Sequence, residues 1–313
     1  MKLFVAITDY QWFAFLASEE RVEEVNFWRP SSESGFRALQ PGELFLFKLH
    51  APRNYIVGGG FFIRFLQTSV SLAWRAFGRS NGTASLEALR ERIATYGKAS
   101  VTTARDPVIG CILLGEPFFF TEGEWIPTPP DFSSNIVQGK GYDLTSTTGQ
   151  HLWQEVRARL ERQVTQEAVA GPATGAVLEG PRFGSPVAVA PRLGQGAFRL
   201  LVTDIYSRRC AVTQERALPV LEAAHIRPYS EGGEHSLTNG ILLRSDLHRL
   251  LDSGYMTIDP NDRTIVVSRR LKEEFDNGRD YYPFQGRRPT FPSDLRSTPS
   301  KENLLYHAEK IFR

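Results

Sequence analysis

"LEAAHIRPYSEGGEHSLTNGILLRSDLHRLLD", residues 221–252, decides how the C-terminal part of the chain is built, and it holds three of the six histidines. The preceding "LPV" and the apolar "LEAAHI" read as a strand that ends near His225. "RPYSEGGEHSLTNG" is polar, contains a Gly-Gly reversal and reads as a long loop. "ILL" is long enough for a short return strand. "RSDLHRLLDSG" carries helix punctuation at both ends, with Ser245 as cap and Gly254 as stop. Leu247, Leu250 and Leu251 would form the inner face of that helix. His248 and Asp252, four apart, would share another. The expected unit is strand, loop, strand, helix.

Such a unit suits phosphodiester hydrolysis. A neutral histidine at a strand end can take a proton from water when its pKa suits the working pH. A helix with His and Asp four residues apart offers two ligands to a divalent cation, and a cation can stabilise phosphoryl and leaving-group charge. An asparagine at the second strand can tie the loop down. A lone histidine is most often a satisfied structural residue. Here Asn239 stands nine residues before His248 and a His-Ile-Arg-Pro turn precedes both, which favours the site.

The rest of the chain sets bounds. Its 313 residues are enough for two domains, and 41% hydrophobic with 23% charged residues is an ordinary globular composition. A net charge of +2 does not by itself announce a nucleic-acid partner. Residues 1–145 hold 14 Lys/Arg against 15 Asp/Glu, whereas residues 191–313 hold 19 against 16, mostly arginine. Arginine is the better fork for phosphate. Cys111 and Cys210 form no CxxC pair, which argues against a disulfide framework or a cysteine zinc site. The start, "MKLFVAITDYQWF", has too short an apolar run for a signal peptide, and no stretch reaches transmembrane length. The expectation is a soluble, reduced, cytoplasmic protein with no membrane partner.

Residues 1–145 read as one strand-rich domain holding 23 of the 36 aromatic residues. "ELFLFKL", "NYIVGGGFFIRFL" and "VIGCILLGEPFFF" are its clearest strands. One helix is expected from Ser85 as cap, through Leu86, Leu89 and Ile93, to Gly97 as stop. Residues 146–170 place Leu152, Val156, Leu160 and Val164 at four-residue spacing and read as a connecting helix. Gly and Pro crowd the following segment, so residues 146–190 together read as helix and linker, with a C-terminal domain over 191–313.

With these residues in view, the C-terminal stretch resembles the HNH (ββα-metal) endonuclease motif. "AHIRP" supplies the first His, Asn239 the N and His248 the last H. "PRLGQGAFRLLVTDIYSRRCAVT" (191–213), "LLDSGYMTI" and "YHAEKIFR" resemble the flanks of a bacterial subgroup, so the likeness covers about 120 residues. It implies that His225 is the general base, that Asn239 orients the loop and that His248 holds a divalent metal, Mg²⁺ or Mn²⁺ or another transition metal. Many members carry Asp or His directly before the base as a further ligand, and here Ala224 stands there. Asp252 is the first candidate to replace it, by helical spacing. Glu222 is the second, because the strand pleat puts it on the side of Ala224. His235, beside "EGGE", reads as solvated. Arg244, Arg249, Arg208 and Arg209 are candidate phosphate contacts.

"FWRPSSESGFRALQPGELFLFKLHAPRNYIVGGGFF" (27–62) resembles the PUA-like superfamily, which includes the ASCH, EVE and SRA domains. The resemblance implies a mixed β-barrel, an α+β chain overall, and a reader that holds a flipped base between aromatic walls. Trp28 is the first candidate for that pocket, beside Arg29 and an exposed-looking "PSS". Trp12 follows, close to Asp9 and Tyr10, whose polar groups suit a base edge. Phe13, Phe27, Trp74 and Trp125 are further candidates, and "GRSNG" (78–82) reads as a DNA-contacting loop. The leading expectation is a modification-dependent restriction endonuclease acting on double-stranded DNA that carries modified cytosine or another altered base, as a homodimer when both strands are cut. A sequence-specific HNH nuclease and a non-cleaving reader of modified nucleic acid are the alternatives.

Overall fold

A computed structural model describes residues 1–30, 35–97, 105–170 and 193–313, with the side chains of 164–170 excepted. The chain separates into two compact units, Met1–Arg192 and Leu193–Arg313, of mixed α+β architecture.

In the N-terminal unit the strands are β1 (Lys2–Thr8), β2 (Glu24–Arg29), β3 (Leu44–Leu49), β4 (Tyr55–Ser69), β5 (Val108–Phe119), β6 (Ile126–Pro127) and β7 (Gly139–Asp143). Six of them pair in the order β2-β5-β4-β3-β1-β7, and β6 pairs with β4. β1 and β3 run parallel and the other pairs antiparallel, so the sheet is mixed as expected. Its end strands β2 and β7 do not pair with each other. β3 is buried along its whole length. The 15-residue β4 crosses the sheet with register shifts after Gly59 and Phe62. Its Gly59 is required by close approach: a Cβ there would lie 2.6 Å from Phe45 O and 2.7 Å from the Phe118 ring.

One face of the sheet packs on α1 (Tyr10–Ala17) through an aromatic core that includes Trp12, Phe13, Phe45 and Phe47. The opposite face packs Leu3, Val5, Leu44, Leu46 and Ile56 against Leu152, Val156 and Leu160. These last three belong to α4 (Thr147–Ala170), which follows α2 (Val70–Phe77) and α3 (Leu86–Tyr96) in the chain. The segment read as a connecting helix is therefore a structural layer of this unit as far as Leu160. α3 forms as its sequence indicated: Ser85 accepts from Ala88 N at its start, Gly97 stands at its end, and Leu89 and Ile93 are buried. The linker segment 171–192 lies outside the described residues, as do Ser31 and Ser32 beside Trp28.

The C-terminal unit has its own core. α5 (Gln195–Ile205) packs on a hairpin of β8 (Leu221–His225) and β9 (Gly240–Arg244), and α6 (Ser245–Asp252) follows β9 directly. A second hairpin, β10 (Met256–Ile258) and β11 (Ile265–Val267), and the helices α7 (Arg270–Phe275) and α8 (Lys301–Tyr306) complete it. Ser245 is the first helical residue of α6, and Arg244 precedes it without a capping side-chain bond. Both cysteines are buried and free. Among the described residues no helix is long and apolar enough to cross a membrane.

Candidate functional site

β8 and β9 pair antiparallel, with Leu221 opposite Arg244 and His225 opposite Gly240. The hairpin thus sets the strand-end histidine beside the start of the return strand. His225 stacks on Phe198 of α5, with ring centroids 4.1 Å apart and planes 9° from parallel. Gly240 makes room for that ring: a Cβ there would lie 2.5 Å from Val202 and 3.0 Å from Phe198. Burial first, and then the electrostatic influence of His235, His248 and Arg199, push the His225 imidazole down to about 4. At neutral pH its ring is neutral, as a proton acceptor must be.

Asn239 is 1% exposed and spends its side chain on the loop between the strands. Its Oδ1 accepts from Arg227 N at 2.8 Å, and its Nδ2 donates to Arg227 O and Glu234 O, both at 3.0 Å. One amide therefore clamps both limbs of the loop, which ties the segment around His225 and His235 in place.

α6 carries His248 over the β8 face that presents Ala224 and Glu222. Ala224 is fully buried, and Glu222 reaches out to His248 Nδ1 at 2.7 Å. On the other side of the ring Asp252 Oδ2 lies 3.2 Å from Nε2. All three sequence candidates for the metal are thus brought together. Glu222 and Asp252 occupy opposite nitrogens, so the three do not converge on one point, and among the described residues no group of three ligand-type side chains forms a metal cage. His248 with either carboxylate is a two-ligand nitrogen and oxygen set, open to solvent, of the kind that leaves other positions to water and phosphate oxygens. One feature suits a cation. The Asp252 carboxyl is held above its usual range by burial, with His248 opposing and Glu222 adding to the rise.

The arginines divide. Arg244 is engaged by Asp246 through two contacts of 2.7 Å, whereas Arg249 is exposed on α6. Arg208 and Arg209 are exposed after α5. Three residues near His225 were not singled out as site residues in the sequence. Phe198 and Arg199 lie in α5, within the stretch that resembles the flank of the HNH motif. His235, read as solvated, lies with Nδ1 2.9 Å from His225 Nε2. The one sequence signal for it was its place between the Gly-Gly turn and Asn239.

In the N-terminal unit a pocket of about 410 Å³ opens where the two ends of the sheet approach each other. β2 lines it with Phe27, Trp28 and Arg29, β1 with Phe4 and Thr8, and the residues before β7 with Val137 and Gln138. Arg29 Nη2 bridges to Gln138 Oε1 at 2.8 Å across the unpaired edges. Trp28 and Tyr96 form an aromatic pair, 6.5 Å between ring centroids. Of the sequence candidates, Trp28, Trp12, Phe27, Asp9 and Arg29 line the pocket. Tyr10 does not, and its ring lies under Arg53 at 3.9 Å. Trp12 is 3% exposed and contributes more to the core than to the opening. Asp9 caps α1 through Trp12 N and pairs with Arg92 at 3.0 Å. Phe13, Trp74 and Trp125 lie elsewhere. In "GRSNG", Asn81 is fully buried, and its carbonyl accepts both indole N–H groups, Trp12 at 3.1 Å and Trp28 at 2.9 Å.

Comparison with known proteins bears on the C-terminal unit. Residues 210–259 match the HNH endonuclease family model HNH_2. A search of curated proteins returned no match. Among solved structures, the ZmASCH protein of Zymomonas mobilis, a point mutant, is similar at 11% identity over 37% of this chain and 73% of that one, with a TM-score of 0.26. Residues 210–259 therefore form an HNH endonuclease domain, and the activity this domain supports is that of a nuclease.

Proposed function

We propose that the protein is a modification-dependent DNA endonuclease. Its N-terminal unit holds a modified base, modified cytosine in the first instance, and its HNH domain hydrolyses phosphodiester bonds of double-stranded DNA. The observation that carries the reading is the pocket at the curled sheet edge, in a chain whose other unit is an HNH domain. At about 410 Å³ the pocket falls within the roughly 300–1,000 Å³ range of small-molecule sites. Trp28 and Tyr96 offer faces on which a flipped base recovers lost stacking, and Arg29, Thr8 and Gln138 offer polar groups for its edge.

In the HNH domain His225 takes the proton of the attacking water while the water oxygen bonds to phosphorus and the ester P–O bond breaks. Asn239 keeps His225 and the loop in register. His248, with Asp252 or Glu222, would hold the divalent cation, Mg²⁺ or Mn²⁺. That ion supplies neutralisation of charge on the phosphoryl and leaving oxygens. Exposed Arg249 and the arginines after α5 contact phosphates. One base and one cation act on one strand at a time, so cutting both strands calls for two copies of the chain.

The test is cleavage with Mg²⁺ or Mn²⁺ of three DNAs that are otherwise identical: unmodified, cytosine-methylated and hydroxymethylated. Cutting confined to modified DNA, and lost in Trp28→Ala, supports the reading. Cutting of all three at one sequence would replace it with a sequence-specific nuclease. Binding of modified DNA without any cutting would leave a reader alone.

A further inference from the structure

His235 stands against the group assigned as general base. Its Nδ1 lies 2.9 Å from His225 Nε2. Its ring stacks on Tyr229, with centroids 4.6 Å apart and planes at 13°, while His225 stacks on Phe198. Two imidazoles, each on its own aromatic support, thus meet through one hydrogen bond. The backbone beside His235 is held as well, since Glu234 O accepts from the buried Asn239 amide.

The direction of that bond decides what His225 can do. A neutral imidazole has one N–H and one lone pair. If His235 donates, His225 spends its lone pair on the bond and carries its proton on Nδ1, so nothing remains to accept from water. If His225 donates from Nε2, its Nδ1 keeps the lone pair. Nδ1 has no hydrogen-bond partner among the described residues. Only the second arrangement leaves a base.

We propose that His235 is a positioning residue: its Nδ1 accepts the N–H of His225 Nε2 and so fixes the tautomer in which His225 Nδ1 takes the proton of the attacking water. This rests on the reading of His225 as general base. The bond is stronger in the step than before it. Once Nδ1 has taken the proton, His225 is an imidazolium and its Nε2–H becomes a charge-assisted donor to His235. His235 itself stays neutral, with its proton on Nε2, and the leaving oxygen is protonated from solvent. The loop histidine therefore acts on the tautomer of the strand-end histidine, as the orienting partner of a catalytic histidine does.

The experiment is ¹⁵N NMR of the full chain labelled at its six histidines, with the His225 signals identified by their loss in His225→Ala. The expected result is a His225 protonated at Nε2 and bare at Nδ1. In His235→Ala the two tautomers should mix, and nicking kcat should fall by roughly 10–100-fold with KM unchanged within about twofold, a part of the 10²–10⁴ a general base contributes. In His235→Asn the Oδ1 can accept in place of Nδ1, so the tautomer should be kept and kcat should return to within a few-fold of wild type. A merely structural role would not give this rescue. Wild-type His225 protonated at Nδ1, or His235→Ala with wild-type kcat, would overturn the proposal. If His225→Ala itself cleaves normally, the general-base reading fails and takes the catalytic half of the proposal with it, while the direction of the bond is still decided by the spectra.

Discussion

His225 is held neutral chiefly by burial, with Phe198 stacked on its ring. That environment sets two expectations. His225→Ala should lower cleavage by roughly 10²–10⁴-fold while leaving DNA binding and the melting temperature nearly unchanged. Wild-type rates in this variant would remove the assignment. The acid limb of kcat/KM, which reports the free enzyme, should fall well below the ordinary histidine value of 6.5, toward about 4. The sign follows from burial: water near the ring is scarce, so a proton is held less well and the base stays available as pH falls. A limb centred at 6.5 or above would show that the ring is more open than the stack on Phe198 implies. The metal can be addressed residue by residue too. Because His248 touches Glu222 at 2.7 Å and Asp252 at 3.2 Å, calorimetric Mn²⁺ titration of Asp252→Ala and Glu222→Ala separates the co-ligand from the residue that orients the ring. Lost affinity in Asp252→Ala is expected. Normal affinity there, with loss in Glu222→Ala, would exchange the two roles.

Elements were legible where their information is local. The Ser85 cap, the buried Leu89 and Ile93 and the Gly97 stop lie within thirteen consecutive residues, and α3 forms between them. The β8–β9–α6 unit was legible for the same reason, including the helical spacing that sets Asp252 beside His248. What stayed hidden was pairing across distance. Phe198 meets His225 from 27 positions away, and Asn81 accepts from two tryptophans that precede it by 69 and 53 residues. Nothing in a local pattern of charge or apolarity specifies such partners. α4 shows both halves of this: its four-residue spacing gave the helix, but not the surface it covers. Leu152, Val156 and Leu160 are buried against Leu3, Val5, Leu44 and Leu46. Each contributes about 1.5–3 kcal/mol by burial, against a total stability of roughly 5–15 kcal/mol for a typical domain. A chain ending at residue 145 should therefore melt far below one ending at residue 170, or fail to fold. Equal melting temperatures by circular dichroism would show that α4 is a connector after all.

At the scale of the whole molecule, each unit has a core of its own. The C-terminal core runs from Phe198 to Leu304, and the N-terminal cores run from Leu3 to Leu160. Among the described residues, the members of each core come from that unit's own segment, so each fragment keeps its core. The fragment 1–170 should bind modified DNA without cutting it, since it keeps the pocket of Trp28 and Arg29 but has no HNH residues. The fragment 193–313 should nick DNA weakly and with no regard for modification, since it keeps His225, Asn239 and His248. Binding by both should weaken as salt is raised, because phosphate contacts release counterions. Restoring modification-dependent cutting should require one continuous chain, which puts the cutter at high local concentration near the base held by the reader. Double-strand breaks by the full chain should rise with the square of protein concentration where nicks rise with the first power, if two copies meet on one site. Cleavage by the fragment 193–313 that still distinguished methylated from unmodified DNA would place the reading in the HNH domain and leave the N-terminal pocket to another ligand.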